Sequence, residues 1–475
     1  MHAISSEMSN PDYFQTLTVD DALETIGFGK FQWKLSLLTG LSWTADAMEI
    51  MIISILGPQL RCEWRLPSYK VALMTSAVFV GICISSPLWG HVFDTFGRRV
   101  GLIMSMCWTL FYGLLSAFAP TYFWILFLRC LVGFGIGGSS QAVTLYSEFL
   151  PIKIRGTCIT MMSVFWAVGC VFEVLLALWI MPKLGWRWLL IVSTLPPTIF
   201  ICFCFWLPES PRFDLLTGNA ERAMATLQRV AKDNGKAMPP GKVTAHTQKD
   251  RGQIKDLLSP LYWRTTLLLW FIWFVIAFSY YGLVLLSSQL LQSGGLCGCT
   301  VTQGAKAEPS CKYLTSDDYK GLLWTSLAEF PGALLILLVI DRIGRKKSEA
   351  ICFFMFCLSI LPLYACIGRV ALTICISIAR AFISGGTKVV VVYTSEAFPT
   401  ESRALALGTC YGMANLGSLV TPFVSEVMLR YSVYLTLSVY IAISLLAGVA
   451  CLSLPVETLG RGLQETYLEQ EEEIQ

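Results

Sequence analysis

Histidine is nearly missing from this chain. His2, His91 and His246 are the only three in 475 residues, and each falls in a polar stretch or at the end of an apolar run. An imidazole is therefore not expected to carry protons or hold a metal inside an apolar segment. Charge is also scarce, at 14% of residues against 55% hydrophobic, and a net charge of +3 gives no electrostatic footprint for nucleic acid. There is no Asn-x-Ser/Thr sequon. The residues from Met1 to Lys30 are polar and acidic and lack an early apolar run, so no removable signal peptide is expected. No nucleophile elbow, phosphate-binding loop or metal-ligand cluster is visible, and neither an enzyme, a cofactor nor a metal is expected. The 17 cysteines show no zinc spacing and mostly lie in apolar runs, where a thiol behaves as a small hydrophobe. Cys62, Cys297, Cys299 and Cys311 lie instead in polar loops. One or two disulfides are expected there if both loops face an oxidising compartment, with the pairing unreadable.

What the chain has in abundance is long apolar runs. Segments at roughly 34–59, 71–92, 100–119, 122–145, 157–181, 187–206, 265–290, 319–340, 349–367, 370–394, 404–427 and 432–453 each approach the ~20 residues that cross a bilayer as a helix. Twelve crossings put both termini on one side. Arg98 and Arg99, Lys153 and Arg155, the basic residues from Arg342 to Lys347, Arg403 and the basic stretch from Arg212 to Arg264 all fall on that side, so both termini are expected to be cytoplasmic. Arg61, Arg65 and Lys70 weaken the contrast on the other side. The expected division is a cytoplasmic segment at about 1–33, a six-helix bundle at 34–206, a cytoplasmic linker at 207–264, a second six-helix bundle at 265–453 and an acidic tail at 454–475. Within the linker, Met224, Leu227, Val230 and Ala231 share one face of a helix that Asn219 opens and Asn234-Gly235 closes.

One short motif occurs twice, each time between apolar runs. The first copy is Gly90-His-Val-Phe-Asp94-Thr-Phe-Gly97-Arg98-Arg99 and the second is Asp341-Arg342-Ile-Gly344-Arg345-Lys346-Lys347. Acid, glycine and paired bases belong in a tight turn at the membrane edge, and their repetition implies two related halves. Arg129 opens a run with Gly133, Gly135, Gly137 and Gly138, followed by Tyr146, Glu148, Pro151 and Arg155. Arg380, Gly385, Gly386, Tyr393, Glu396, Pro399 and Arg403 repeat that pattern. Pro208-Glu209-Ser210-Pro211-Arg212 and Pro455, Glu457, Thr458 follow the sixth and twelfth runs.

Together these markers resemble the major facilitator superfamily over nearly the whole chain. Thr44-Ala-Asp46-Ala-Met48-Glu49, Cys62-Glu63-Trp64 and Gly185-Trp186-Arg187-Trp188 are similar to its synaptic-vesicle-two-related branch. The resemblance implies an all-α membrane fold of twelve transmembrane helices in two pseudo-symmetric bundles. It also implies gating by Gly90, Asp94, Gly97, Arg98, Arg99, Glu148, Arg155, Asp341, Arg342, Gly344, Arg345, Glu396 and Arg403. Asp94 is expected to accept hydrogen bonds from a helix N-terminus, with Glu148–Arg155 and Glu396–Arg403 as partners. Thr95 stands where a basic residue is usual and Leu337 where a second Gly90 is expected, which implies a weaker first gate.

Charges within apolar runs are costly unless a polar cavity or a partner receives them, by at least ~2.5–3.5 kcal/mol. Asp46 and Glu49 share one face of the first span and are expected to form the solute or proton site, or else a structural ion pair with Arg129 or Lys388. Glu173, Glu329, Arg380 and Lys388 join them as candidates. Tyr280-Tyr281-Gly282 is expected to bend the seventh span around a cavity. The function expected is a carrier of a small organic solute, an organic ion or a sugar, working by alternating access with protons as a candidate coupling ion. A transport-inactive receptor or vesicle partner of the same fold is the alternative.

Overall fold

The computed structural model describes residues 16–244, 254–293, 312–365 and 367–459. His2, His246, Cys297, Cys299, Cys311 and residues 460–475 of the acidic tail lie outside the described residues. Apolar segments in hydrocarbon must satisfy their own backbone groups, and a helix does so within one segment. Among the described residues, eleven helices are long and apolar enough to cross a membrane. In chain order they are span 1 (Lys30–Glu63), span 2 (Ser68–Phe96), span 3 (Arg98–Ala117), span 4 (Tyr122–Ser147), span 5 (Ile152–Leu184), span 6 (Trp186–Trp206), span 7 (Trp263–Gln292), span 8 (Ser316–Ile343), span 9 (Arg345–Tyr364), span 10 (Arg369–Ala397) and span 12 (Val433–Leu452). Between the last two runs a further long helix, span 11 (Thr400–Pro422), continues as a π-helical turn at Phe423–Met428.

The helices present large apolar side chains outward, among them Phe123, Trp179, Leu335 and Val370. That surface suits lipid rather than water. Inside each half, small residues let backbones touch. A Cβ on Gly133 would lie 2.0 Å from the Val78 carbonyl, and one on Gly81 2.1 Å from that of Cys130, so spans 2 and 4 pack backbone to backbone. The glycine series of span 4 is thus a packing device. Spans 8 and 10 meet the same way at Gly332 and Ala381, and spans 7 and 11 at Gly417 and Phe274. The halves join through span 2 with span 11, span 5 with span 8, and span 1 with span 7.

Span 7 is one continuous helix. At Gly282 the missing side chain admits the Tyr440 ring of span 12, whose hydroxyl oxygen would be 2.2 Å from an added Cβ.

A short helix, Val19–Ile26, precedes span 1 and packs Leu23 and Ile26 against Leu227 and Val230 of the linker helix Ala220–Asn234. Beside it, Thr16–Leu17 pairs with Lys242–Val243 as a two-residue parallel ribbon, which joins the chain before span 1 to the linker. Asp20 accepts a hydrogen bond from Arg155 at 2.8 Å and another from Arg212. Burial raises the Asp20 carboxyl, but the Arg212 and Arg155 guanidiniums outweigh it and hold the group below the usual carboxylate range. A carboxylate depressed by folding stabilises above its unfolded value of about 3.9 and loses that contribution only as pH falls through the lower folded value. The short helix should therefore stay docked across mildly acidic pH, and Asp20→Asn should undock it there. Amide hydrogen exchange of residues 19–26 checks both, and unchanged protection in the variant would refute the role given to this carboxylate.

Candidate functional site

The two motif copies build the same turn twice. Span 2 passes to span 3 through Gly97 and span 8 to span 9 through Gly344, each at φ +97°, a conformation that side chains rarely adopt. In each turn a glutamate from distant sequence accepts from the first N–H groups of the following helix. Glu209 receives Arg98 N–H at 2.9 Å and Arg99 N–H at 3.2 Å. Glu457 receives Arg345 N–H at 2.7 Å and Lys346 N–H at 3.2 Å. A carboxylate at a helix N-terminus satisfies orphan donors and meets the positive end of the dipole.

Several expected partners are replaced. The helix N-terminus is capped by Glu209, whereas Asp94 receives the Arg98 side chain at 3.0 Å. Glu148 faces Arg98 at 3.7 Å instead of Arg155, which binds Asp20. Glu396 takes a two-pronged pair from Arg345, at 2.9 and 3.0 Å, instead of from Arg403. Arg403 donates to the Phe398 carbonyl at 3.5 Å, and Asp341 pairs with Arg345 at 3.0 Å. Arg99 reaches the Phe205 carbonyl at 3.4 Å, Arg342 is exposed at the end of span 8, and an added Cβ on Gly90 meets open space. The reason is reach: pairing is set by how spans 2 to 4 and 8 to 10 converge, which residue spacing does not reveal.

The intramembrane charges converge on the middle of the bundle. Arg129, 1% exposed, donates to Glu49 at 2.6 Å and to the Ser116 hydroxyl at 3.0 Å. Of the two ion pairs the sequence offered for span 1, this one forms, while the Lys388 ammonium donates to the Ser384 carbonyl at 2.8 Å and hydroxyl at 3.1 Å. Asp46 takes the Ser139 hydroxyl on Oδ2, and its buried Oδ1 has no hydrogen-bond partner. Glu173 is gripped by Ser193 at 2.9 and 2.8 Å.

In the second half Arg380, also 1% exposed, donates to Glu329 at 2.7 Å, and Glu329 also accepts from Tyr280 at 3.0 Å. Tyr280 in turn receives the Trp166 indole of span 5 at 2.8 Å, and Arg380 touches the Met51 sulfur of span 1 at 3.3 Å. Polar contacts thus run from one half to the other through the centre. Tyr281 packs edgewise on Tyr280 and lies 5.1 Å from the Phe79 ring, lining a small apolar cavity with Ile50 and Thr75.

Toward the face opposite the motif turns, spans 2 and 11 are bonded directly. Thr75 donates to Glu426 at 3.2 Å, and Ser76 to the Leu419 carbonyl at 3.2 Å. Glu426 sits in the π-helical turn of span 11, a distortion common at functional places. Trp186 donates to Glu63 at 2.7 Å and packs edge-on to Trp64, which joins two of the branch-marking motifs. Cys62 is disulfide-bonded, and its partner lies outside the described residues.

Sequence reasoning named Glu209 and Glu457 as markers without their capping role, and missed Asp20, Glu349 and Glu426. A lone acid inside the eleventh apolar run was the available signal for Glu426. The other two read as ordinary residues of a polar segment and of a span edge.

A duplicated bundle of this kind, with paired motif turns and charges gathered at its centre, defines a membrane transporter of the major facilitator fold. The family model for "Sugar (and other) transporter" matches residues 60–468, and the chain belongs to that family. It is 59% identical to the synaptic vesicle 2-related protein of Xenopus laevis over 98% of this chain and 85% of that one. It is 46% identical to the putative transporter svop-1 of Caenorhabditis elegans, over 97% and 89% of the two chains. It is 38% identical to the human putative transporter SVOPL, over 95% and 94%. In fold it is similar to the xylose transporter XylE from E. coli in its inward-open conformation, with TM-score 0.70, 16% identity, and 93% and 99% of the two chains covered.

Proposed function

We propose that this chain is a secondary carrier that moves a small organic solute by alternating access, with both termini cytoplasmic. The observation that carries the proposal is the polar chain from Trp166 through Tyr280 and Glu329 to Arg380, which crosses the interface between the halves. A solute bound there touches both bundles, so rocking one against the other changes the side from which it is reached. The bonds from span 2 to span 11 close the non-cytoplasmic side. The motif pairs named above lie within single halves, an arrangement that leaves the cytoplasmic ends free to separate.

Arg129 and Arg380 are each matched by a glutamate, whereas Asp46 and Glu173 are held by serine hydroxyls. That balance favours an organic cation over an anion as solute. It also gives Asp46 and Glu173 the chemistry to exchange protons, and a D-xylose–proton symporter is among the proteins of similar fold. Localisation to a vesicle membrane is the reading that the name of the Xenopus relative supports.

Two measurements test the proposal. Thermal stabilisation of the purified protein by organic cations, anions and sugars, each at acid and neutral pH, should give hits among cations. In proteoliposomes, Asp46→Asn should lower uptake of the hit by about tenfold or more, equivalent to ~1.4 kcal/mol or more, and flatten its pH dependence. A stable protein that binds but never transports would support the receptor alternative. Normal pH-dependent uptake in Asp46→Asn would remove Asp46 from the site.

A further inference from the structure

Glu349 is the fifth residue of span 9, one turn beyond Gly344, and only 3% exposed. Neither of its carboxyl oxygens has a hydrogen-bond partner. A carboxylate without water, donor or cation is among the costliest groups to bury, so such a group calls for a proton or a cation. The fold does not require the acid. At the same place in the first half, the fifth residue of span 3, stands Leu102, fully buried.

Two observations give the site a direction. Toward the cytoplasmic face, a cavity beside Glu349 is lined by Leu269 and Ile272 of span 7, Arg345 and Lys346 of its own helix, Tyr393 of span 10 and Leu454. Its two basic residues belong to the motif turn at the end of the membrane span and are partly exposed. Toward the centre, the Cys352 thiol, one turn further along span 9, is within electrostatic reach of both Glu349 and Lys388. Lys388 donates to the Ser384 hydroxyl at 3.1 Å, and that hydroxyl donates to Glu329 Oε2 at 3.4 Å. Lys388 also has no counterpart in the first half: eight residues after Arg380 stands this lysine, and eight after Arg129 stands Gly137.

We propose that Glu349 is a proton-binding site of the second half, loaded from the cytoplasmic side, and that Lys388 and Ser384 connect it to Glu329. Glu329 takes the Ser384 hydroxyl proton as Ser384 takes one from the Lys388 ammonium. The neutral amine left behind takes the proton of Glu349 once a side-chain rotation brings the two within hydrogen-bond distance, since Glu349 has no partner at rest, and a proton from the cytoplasmic side reloads the carboxylate. Only O–H and N–H bonds form and break. A neutral Glu329 holds Arg380 less tightly, which frees the guanidinium that touches span 1.

The charged and titratable groups facing Glu349 are Arg345, Lys346 and Cys352 from its own helix, Tyr393 from span 10 and Cys451 from span 12, with Lys388 beyond the Cys352 thiol. Among the described residues, span 7 presents Leu269 and Ile272. The two cations of the cavity are engaged elsewhere, Arg345 by Glu396 and Asp341 and Lys346 by the Leu454 carbonyl. Tyr393 donates to the Val456 carbonyl at 2.8 Å.

The role in transport rests on the carrier reading, but proton binding is measured without any solute. The experiment is pH-difference infrared spectroscopy of the full-length protein in lipid nanodiscs, from mildly alkaline to mildly acidic buffer, without sodium or potassium and then with each. One component of the carboxylic-acid band should rise with acidity in the wild type and be lost in both Glu349→Gln and Glu349→Leu, while the components from Asp46, Glu173 and the exposed carboxyls remain. The leucine variant copies Leu102 and keeps the comparison if the glutamine variant fails to fold. Lys388→Met should move the midpoint of that band by about one pH unit or more, a factor of ten in proton affinity. An unchanged band in both Glu349 variants, or a Glu349 band that never titrates, overturns the proton site. A band displaced by sodium or potassium replaces the proton with a metal cation, and a midpoint indifferent to Lys388→Met breaks the connection to Glu329. Intact bands in a protein that moves no solute would leave this site standing and defeat the carrier reading instead.

Discussion

Arg380→Ala is expected to abolish uptake and to destabilise the protein by roughly 3–5 kcal/mol, the usual cost of removing one partner from a buried ion pair. Arg380 and Glu329 are 1% and 2% exposed on their side chains, so no water replaces the lost guanidinium. Its removal leaves Glu329 with the Tyr280 hydroxyl and the weaker Ser384 bond. A second change separates fold from transport. Arg380→Met combined with Glu329→Leu removes both charges and should restore most of the thermal stability, because a buried pair replaced by apolar groups of similar volume is often neutral. Uptake should stay absent, since the polar chain between the halves is gone. Thermal unfolding in detergent and uptake in proteoliposomes read the two effects separately. Wild-type uptake in the double variant would show that this pair serves packing alone.

Gly97→Ala carries the second large effect. A Cβ there would sit 2.4 Å from Glu209 Oε2 on a backbone at φ +97°, so the turn must strain and the Glu209 cap must move. Strain of this kind costs about 1–3 kcal/mol, before any loss of the cap. If the turn is part of the gate, turnover should fall by about tenfold or more, with solute affinity close to wild type. Gly344→Ala should act alike, since its added Cβ would lie 2.9 Å from Glu457. Gly90→Ala is the contrast within the same motif. It meets open space in an ordinary helix and should leave both constants near wild type. Equal effects at Gly90 and Gly97 would show that the cap at Glu209 is not what the motif protects.

The duplicated architecture was legible because hydrocarbon leaves so few choices. A run of about 20 apolar residues has one way to bury its backbone polarity, and acid, glycine and base between two such runs must form a turn at the edge. Arg129 and Arg380 could be singled out for a similar reason, as could Asp46, Glu49, Glu173 and Glu329. A charge in an apolar run has a cost that only a partner or a polar cavity offsets. What the pattern could not supply was which partner. Glu148 and Arg155 are seven residues apart and read as a pair, yet the short helix that packs against the start of span 5 brings Asp20 to Arg155 and leaves Glu148 to Arg98. Gly282 read as a bend beside two phenols, and the pattern could not show the Tyr440 ring of a distant helix that fills the space its missing side chain leaves.

Glu349 shows the limit most plainly. Following Lys346, Lys347 and Ser348, it reads as one more polar residue at the water's edge. Packing of spans 7, 10 and 12 around it takes it out of water and leaves both oxygens unmet. Sequence alone determined the membrane fold, the two halves, the turns between them and the list of charges that need an explanation. Each of those follows from the solvation of a residue by its immediate neighbours in the chain. Tertiary structure alone decided which charges meet, which carboxylates cap helices and which remain without partners. Those outcomes depend on angles and distances between helices tens to hundreds of residues apart, which local composition does not encode.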